Sequence, residues 1–423
     1  MKKMSLIKKN HRWIILQKLI ITSAIIGFLS ALLGNTLKKI TEHYEEIFFA
    51  LAKNNWMLYL LFPILSFSII YFLRQTLFKK KENKGIKEIY ESTDSKTKNL
   101  PAYKVSSHFL NGLITVIFGG STGIEVSTVV ASAAIGSVVQ QKENVFKRYK
   151  TQLICAGIAS GITALFGSPI AGLIFAYEVI SGKFSRSFLL TNGIAVAVAF
   201  TFTHFVDSQP MFNIAVLPWH LHALPYMILL GIIAGVNAVY LNRCVLLFKQ
   251  KFATIDKQHL RILIGAGFVS LALLLLPQLY GEGYHAVKQL IHYSSNLKLT
   301  LSFALTLIMV ILIKPIVTSL TLVSGGDGGV FAPSLFIGAF LGLLTASVLN
   351  TFFNAGVLPI NFMVIGMAAM LSASIHAPFT ALFLVCEAIN DYTLFVPILI
   401  VCLISKYTAK LIYPYTVYSY SRV

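Results

Sequence analysis

A single carboxylate, Glu125, lies in one of the most apolar parts of this sequence. It belongs to the stretch FGGSTGIEVSTVV, and between Val105 and Gln140 the only other ionisable side chain is His108. A charge inside an apolar segment of membrane length is costly and is usually functional. We therefore predict a functional role for Glu125, and a helix-capping acid is the structural alternative.

The composition indicates a polytopic membrane protein. Of 423 residues, 56% are hydrophobic and only 12% are charged, which is a membrane profile. Apolar runs recur from residue 13 to residue 412 and allow roughly ten or more crossings of about 20 residues each. We find no signal with a small-residue cleavage site, and we expect no sizeable soluble domain after the last run.

The net charge of +19 comes from bases that flank the apolar runs, as at Lys2 to Arg12, Lys79 to Lys81 and Lys142 to Lys150. The positive-inside rule explains this pattern better than a nucleic-acid partner does. It predicts a multi-pass protein of the cell (plasma or inner) membrane with both termini in the cytoplasm. The four cysteines have no paired spacing, so we expect neither a metal site nor a disulfide framework.

The sequence contains an internal repeat. GIEVS at 123–127, followed by Gly136, is matched 206 residues later by GVFAP at 329–333, followed by Gly342. Downstream, FGSPIAGLIFAYEVI at 166–180 matches IHAPFTALFLVCEAI at 375–389. Eight lysines lie between Lys79 and Lys104, before the first copy, and the second copy has no comparable basic flank. The copies are therefore expected to face opposite sides of the membrane, as an inverted repeat.

Inverted repeats interrupted by Gly and Pro are typical of transport folds. In such folds the N-termini of broken helices meet near the midplane and direct their positive ends at one point. Both GIEVS and GVFAP lead into helical patterns, so Gly123 and Gly329 should lie where backbone N–H groups are free to bind an anion. The predicted fold class is an all-α polytopic membrane protein.

These motifs resemble those of the CLC family of chloride channels and chloride/proton antiporters. GGVFAPSLFIGAFLG at 328–342 resembles the third signature of that family, and GIEVS resembles the second. KGIKEIYE at 84–91 lies where the first signature should be, and segments 374–392 and 416–421 match the last helices. The resemblance runs from about residue 20 to residue 421. The chain is similar to a divergent prokaryotic-type member without a CBS domain.

The resemblance implies a CLC-type fold of two inverted-topology repeats with broken helices meeting at the midplane. It implies one transmembrane domain over residues 1–423, with a basic N-terminus at 1–14 and a tail at 413–423. The first repeat would cover about 15–206 and the second about 220–412. The implied partners are a second copy of the chain, as a homodimer, and membrane lipids. No cofactor and no enzymatic activity are implied, and the ligand is the transported anion.

The resemblance also assigns roles to residues. Glu125 becomes the external gate, Val330 and Phe331 donate backbone N–H groups to the anion, and Tyr418 offers a hydroxyl from the cytoplasmic side. Gly123 and Gly329 belong to the same anion-binding motifs. Backbone amides and a phenol can hold chloride without full positive charge, weakly enough that it can leave.

Two departures from the family pattern bear on function. Lys84 replaces the serine that bonds the anion, and it is either an anion ligand or part of a solvated charge run. Val179 stands where the proton-coupled members have a second, inward-facing acid. The main expectation is therefore channel-like permeation of chloride or a similar small anion without tight proton coupling. The alternative is chloride/proton or fluoride/proton antiport, in which the neighbouring Glu178 is the proton relay.

Structural interpretations accompany the functional ones. Glu178 and Glu387 recur symmetrically, which favours hydrogen bonds to neighbouring loops. Tyr418 could belong to an interfacial aromatic belt. Lys314, before Pro315, could mark a broken helix end. We expect Asp327 to be a turn acid and His376 to be packed or hydrogen-bonded.

Two remote alternatives come from other classes of protein. A secondary transporter of organic solutes or cations would also use inverted repeats, but a cation site needs several inward-facing acids. From 299 to 375 the only charges are Lys314 and Asp327. An intramembrane serine hydrolase would need an activated serine, and Ser160 with His376 is the nearest candidate pair.

Overall fold

The computed structural model describes residues 2–142, 144–293 and 299–422, and within these residues it contains sixteen α-helices and no β-strand. The predicted all-α fold class is therefore confirmed. Side chains are described from Trp13 onward except at 143–145, 293–298 and 421–423, so most of the predicted basic N-terminus at 1–14 lies outside the described side chains.

The first repeat supplies the first eight helices and the second repeat supplies the rest. The first eight are α1 (Lys2–Asn54), α2 (Met57–Thr76), α3 (Ile86–Asp94), α4 (Tyr103–Ile117), α5 (Glu125–Gln140), α6 (Lys150–Phe166), α7 (Pro169–Phe175) and α8 (Arg186–Val206). The others are α9 (Leu224–Ala253), α10 (Gln258–Leu275), α11 (Tyr284–Tyr293), α12 (Leu301–Val323), α13 (Phe331–Phe353), α14 (Pro359–Ile375), α15 (Pro378–Ala388) and α16 (Phe395–Ile412).

Eight of the helices in the described residues are long and apolar enough to cross a membrane, fewer than the ten or more crossings expected. The difference arises because three long apolar runs fold as pairs of shorter helices: α4 with α5, α6 with α7, and α14 with α15. Gly167 ends α6 in the left-handed conformation, and Pro169 starts α7 at a position that tolerates its missing N–H. Apolar length therefore overstates the number of full crossings.

Lys314 and Pro315 do not mark a helix end. They lie inside α12, which is continuous from Leu301 to Val323. The Lys314 side chain is fully buried, and its ammonium donates to the carbonyls of Leu279 and Gly281 at 3.4 Å and 3.2 Å. The charge is thus satisfied by a neighbouring loop rather than by a break in the helix.

Corresponding helices of the two repeats pack on corresponding partners. In the second repeat, α13 crosses α14 where Gly338 faces Gly366, and a Cβ on either residue would collide with the backbone of the other. In the first repeat, Gly136 of α5 meets the backbone at Leu153 of α6 in the same way. These close crossings bury α5 and α13 in the centre of the molecule.

The two repeats also cap each other's short helices. Glu387 of α15 accepts hydrogen bonds from the backbone N–H groups of Ile170 and Ala171 at the start of α7, at 3.3 Å and 3.1 Å. Glu178, just after α7, accepts from the backbone N–H and the hydroxyl of Thr380 at the start of α15, both at 2.9 Å. Each carboxylate therefore stabilises a helix N-terminus of the other repeat.

Candidate anion-binding site

The two glycine motifs meet in the centre of the fold. Gly123 and Gly329 form an isolated antiparallel β-bridge, and the hydroxyl of Thr122 donates to the Gly329 carbonyl at 2.8 Å. Helix α5 begins two residues after Gly123, and α13 begins two residues after Gly329. The first N–H groups of a helix have no acceptor within it, so two helix N-termini present donors to the same region.

Glycine is required at both bridge positions because of close approach. A Cβ at Gly123 would collide with the carboxylate of Glu125 and with the side chain of Ala332. A Cβ at Gly329 would collide with the side chain of Val126. The two helix N-termini can therefore approach each other only because neither bridge residue has a side chain.

Glu125 is the first residue of α5 and is 2% exposed. The hydroxyl of Tyr284 donates to its Oε1 at 2.5 Å, whereas Oε2 has no hydrogen-bond partner within the part of the chain that the structure describes. The carboxylate lies at a place where helix dipoles favour negative charge. An acid in this position can occupy an anion site when ionised and can vacate it when protonated.

Tyr418 lies against the second glycine motif. Its side chain is 5% exposed, its hydroxyl has no hydrogen-bond partner among the described residues, and a Cβ on Gly329 would lie 3.5 Å from that hydroxyl. Leaving a buried hydroxyl unpaired costs free energy, and an anion could accept its hydrogen. Val330, which caps α13, and Phe331, its first residue, are each 1% exposed. Tyr418, Val330 and Phe331 are therefore all buried beside the glycine bridge.

A pocket of about 320 Å³, here called the basic vestibule, leads to Tyr418 and Gly329. Lys84 lines it, and the Lys84 backbone N–H donates to Glu88 at 2.5 Å. The positive charge of the vestibule would concentrate anions next to the site. Its basic lining residues are Arg74, Lys84, Lys87, Lys249 and Arg261, and its acidic ones are Glu82 and Asp327.

Asp327 is more than the turn acid that the glycine pairs predicted. It is 5% exposed, its carboxylate pairs with Nδ1 of His108 at 2.9 Å, and the amide of Asn83 donates to it at 2.5 Å. Burial alone raises the pKa of Asp327, but the His108 and Arg74 side chains and the Asn83 amide outweigh it and lower the pKa below its usual value. Asp327 therefore ties the loop before α13 to α4 and to the loop before α3.

Residues 178 and 179 lie in a π-helical turn, Ala176–Ser181, that continues α7. The hydroxyl of Tyr90 donates to the Val179 carbonyl at 3.1 Å. The carboxylate of Glu178 is directed at Thr380, as described above. Neither residue lines the basic vestibule, so the geometry connects Glu178 to the cap of α15 and not to the anion path.

The serine and histidine of the hydrolase alternative have other partners. The Ser160 hydroxyl donates to the Ala156 carbonyl inside α6 at 2.8 Å. His376 ends α14 in the left-handed conformation. Burial and the charges of Lys406 and Lys410 lower the pKa of His376 to about 4. Neither side chain lines the basic vestibule.

Sequence reasoning missed Tyr284, the residue whose hydroxyl holds the Glu125 carboxylate. It also missed Glu282, whose carboxylate accepts the backbone N–H of Ile124 at 2.9 Å. The one signal was the run Gly281-Glu282-Gly283-Tyr284, an isolated acid between glycines like Glu125 itself. Nothing in its spacing connects this run with residues about 160 positions earlier.

Known proteins resemble the chain over most of its length. A model of the voltage-gated chloride channel family matches residues 66–410. ClcA of Vibrio parahaemolyticus, named an H(+)/Cl(-) exchange transporter, is 25% identical over 423 residues, which cover 95% of this chain and 88% of ClcA. A ClcB-like chloride channel protein of Ralstonia nicotianae is 30% identical over 312 residues, 71% of this chain and 70% of that protein.

Solved structures resemble the fold. A CLC-type fluoride/proton antiporter has a TM-score of 0.80 at 24% identity, covering 95% of this chain and 97% of that chain. A slow cyanobacterial Cl−/H+ antiporter also has a TM-score of 0.80, at 20% identity, with 95% and 96% covered. The predicted CLC-type fold is therefore confirmed. Because the family model covers most of its length, the chain belongs to the CLC family of anion transport proteins, described as voltage-gated chloride channels, and is an integral membrane protein.

Proposed function

We propose that this protein exchanges a small halide, chloride or fluoride, for protons through Glu125. This is the antiport alternative of the sequence analysis. It is favoured over the channel-like expectation because ClcA relatives that cover nearly the whole chain are named as exchangers, although the ClcB-like relative is named as a channel. The observation that carries the proposal is the position of Glu125, a buried acid with one free oxygen between two helix N-termini.

The geometry supports a simple cycle of competition. Ionised Glu125 occupies the donor-lined region and excludes an anion. Once protonated, it competes less well for the amide dipoles, and an anion from the basic vestibule binds the N–H groups of Val330 and Phe331 and the Tyr418 hydroxyl. Departure of the anion then lets Glu125 ionise again, so that proton and anion movements alternate.

The inward proton step cannot use Val179, which binds no proton. Glu178 already accepts two hydrogen bonds from Thr380, so we assign it to the cap of α15. We propose instead that the proton leaves Glu125 on the Tyr418 side, where the vestibule reaches the site. Lys84 lines that vestibule, and we assign it to attracting anions.

The test is a chloride gradient across proteoliposomes, with anion efflux and internal pH recorded together. We expect steady uphill proton movement in the wild-type protein and in Glu178→Gln. In Glu125→Gln we expect proton movement to be lost, while anion flux continues and becomes insensitive to pH. Anion flux without proton movement in the wild type would restore the channel-like interpretation, and cation-selective flux would contradict anion transport altogether.

We also propose a homodimer with both termini in the cytoplasm. The family resemblance and the basic flanks support this arrangement. Mass measurement in mild detergent should give twice the chain mass, and a cysteine added near Tyr420 should be labelled only from the cytoplasm. An active monomer would contradict the homodimer, and labelling from outside would contradict the cytoplasmic position of the C-terminus.

A further inference from the structure

A second pocket, here called the acid pocket, approaches Glu125 independently of the basic vestibule. It has a volume of about 310 Å³ and lies between the end of α1, the start of α2, the loop before α11 and the start of α11. It shares no lining residue with the basic vestibule. Its charged lining residues are Glu42, Glu45, Glu46, Lys53, Glu282 and Lys288, with Tyr59, Tyr280, Tyr284 and His285 beside them.

Short hydrogen bonds connect this pocket to the gate. Tyr284, which lines the pocket and is 7% exposed, donates its hydroxyl to Glu125 at 2.5 Å. Glu282, also in the lining and 4% exposed, accepts the N–H of Ile124, the residue before Glu125. The backbone N–H of Glu282 in turn donates to Glu45 at 3.2 Å. One side chain therefore separates the pocket from the gate carboxylate.

The acids become progressively less accessible along this path. Glu46 is exposed and Glu45 is partly buried, while Glu282 and Glu125 are almost fully buried. Such a gradient lets solvent protons reach the first acid, while the last carboxylate stays away from bulk water. The buried Oε2 of Glu125 has no hydrogen-bond partner in residues 2–142, 144–293 and 299–422, and this leaves the end of the path able to bind a proton.

The charge balance favours bound protons. Glu282 faces Glu45 and Glu42 from α1, Glu125 from α5, Tyr284 from α11 and Lys314 from α12. Lys314 is the one cation among these groups, and its ammonium also lies 4.6 Å above the ring of Phe336. Two buried carboxylates and the partly buried Glu45 around one ammonium cannot all ionise without a large cost. The cluster must therefore take up protons as it forms.

Other ligands fit the pocket less well. Four carboxylates repel anions, so the pocket is a poor second route for a halide. Within the described residues no group of three or more His, Cys, Asp or Glu side chains is arranged to hold a metal ion. A proton is the ligand that both the carboxylates and the hydroxyl can bind and pass on.

We propose that the acid pocket is the proton-access site of Glu125, separate from the anion path, in which Glu282 takes protons from water and Tyr284 passes them to the gate. A hydronium ion protonates a carboxylate oxygen of Glu282 and leaves as water. Pocket water then carries the proton to the Tyr284 oxygen, while the Tyr284 hydroxyl proton moves to Oε1 of Glu125. Tyr284 ends neutral, and the reverse sequence discharges Glu125.

This inference deepens the proposed exchange, but its test does not depend on coupling. In proteoliposomes, anion flux is followed by stopped flow after a pH jump on the acid-pocket side. We expect Glu282→Gln to slow the response at least five-fold, while its final flux at low pH stays within two-fold of wild type. We expect Tyr284→Phe to slow the response at least five-fold as well. A purely structural role would change the final flux and not the rate. The control is Asp256→Asn, an exposed acid that lines neither pocket, and it should respond like wild type.

Chemical labelling tests the same proposal on protein that has already folded, so a folding defect of a buried variant cannot explain its result. The four native cysteines are buried, so a single cysteine at the exposed pocket residue Gln289 can be modified by a bulky, membrane-impermeant thiol reagent. The pH response should slow after labelling at this position and not after labelling of Thr351→Cys, an exposed position outside both pockets. Wild-type rates in both acid-pocket variants and after labelling at 289 would overturn the inference. A wild type that shows these effects but moves no protons uphill would overturn only the proposed exchange.

Discussion

The acid pocket and the basic vestibule approach the same gate with opposite charge. Four carboxylates and two lysines line the first, whereas five bases and two carboxylates line the second. The first reaches Glu125 through the Tyr284 hydroxyl, and the second reaches the glycine bridge beside Tyr418. Two routes of opposite electrostatic preference can thus serve one carboxylate, so that protons and anions need not share a path on both sides of it.

The sharpest test of this contrast uses one buried acid from each pocket. Asp327→Asn should cost about 3 kcal/mol of stability at neutral pH, because it removes the buried negative charge beside His108 and Arg74. The pKa of Asp327 is depressed, so its contribution is present above the unfolded value of about 3.9 and is lost as the pH falls through the lower folded value. Thermal unfolding in detergent should therefore show a deficit that is nearly constant from pH 7.5 to about pH 5 and that shrinks only below about pH 4.

Glu282→Gln should behave in the opposite way. Burial, with the nearby Glu125 and Glu45 carboxylates, raises the pKa of Glu282 well above its usual value. As the pH rises past the unfolded value of about 4.3, the unfolded chain ionises first, and the folded protein loses stability that the glutamine variant keeps. The melting temperature of the variant relative to wild type should thus increase with pH. If the melting temperatures of both variants, relative to wild type, changed with pH in the same direction, the proposed contrast between the two pockets would be wrong.

A smaller effect, on anion affinity, is expected where the basic vestibule reaches Tyr418. Tyr418→Phe removes one neutral hydrogen-bond donor and should weaken anion binding about five-fold, or about 1 kcal/mol, as measured by titration calorimetry. Tyr420→Phe is the matched control, because the Tyr420 hydroxyl pairs with Gln250 at 3.3 Å on the surface. Equal affinities in the two variants would place the anion away from Tyr418.

The smallest effect concerns steering by the vestibule. Lys249→Met removes one exposed positive charge from the vestibule and should reduce initial anion flux about two-fold at low ionic strength, with little change at high salt. Lys288→Met removes the same charge from the acid pocket and should leave anion flux unchanged. A lower anion flux in both variants would indicate a general charge effect. A lower anion flux only in Lys288→Met would indicate that anions enter through the acid pocket.

Sequence reasoning predicted the half of the site that is built from repeated, local patterns. The glycine motifs recur at a constant spacing, so their meeting at Gly123 and Gly329 could be expected before the bridge was seen. Tyr284 and Glu282 have no repeat partner, and their contacts with α5 join residues 158 and 159 positions apart. Such pairs depend on how α11 and its preceding loop dock, which no local pattern encodes.

The predicted number of membrane crossings shows the same limit of reasoning from local sequence patterns. Apolar length predicted helices wherever a run was long enough, but the breaks at Gly167 and His376 divide single runs into two helices. Glycine adopts the left-handed conformation readily, and it was a visible signal. His376 gave no such signal in the sequence, because its surroundings in the fold, and not its residue type, hold it in the left-handed conformation.

The exchanged caps of α7 and α15 have a consequence for biosynthesis. The acceptor for the first N–H groups of α7 is Glu387, which follows Ile170 by 217 residues. A ribosome therefore delivers the first repeat to the membrane long before that acceptor exists. Until α15 inserts, the N–H groups at the start of α7 must donate instead to water, to lipid headgroups or to an insertion factor. Membrane insertion of this protein is thus completed in its second half, when each repeat supplies the carboxylate that the other lacks.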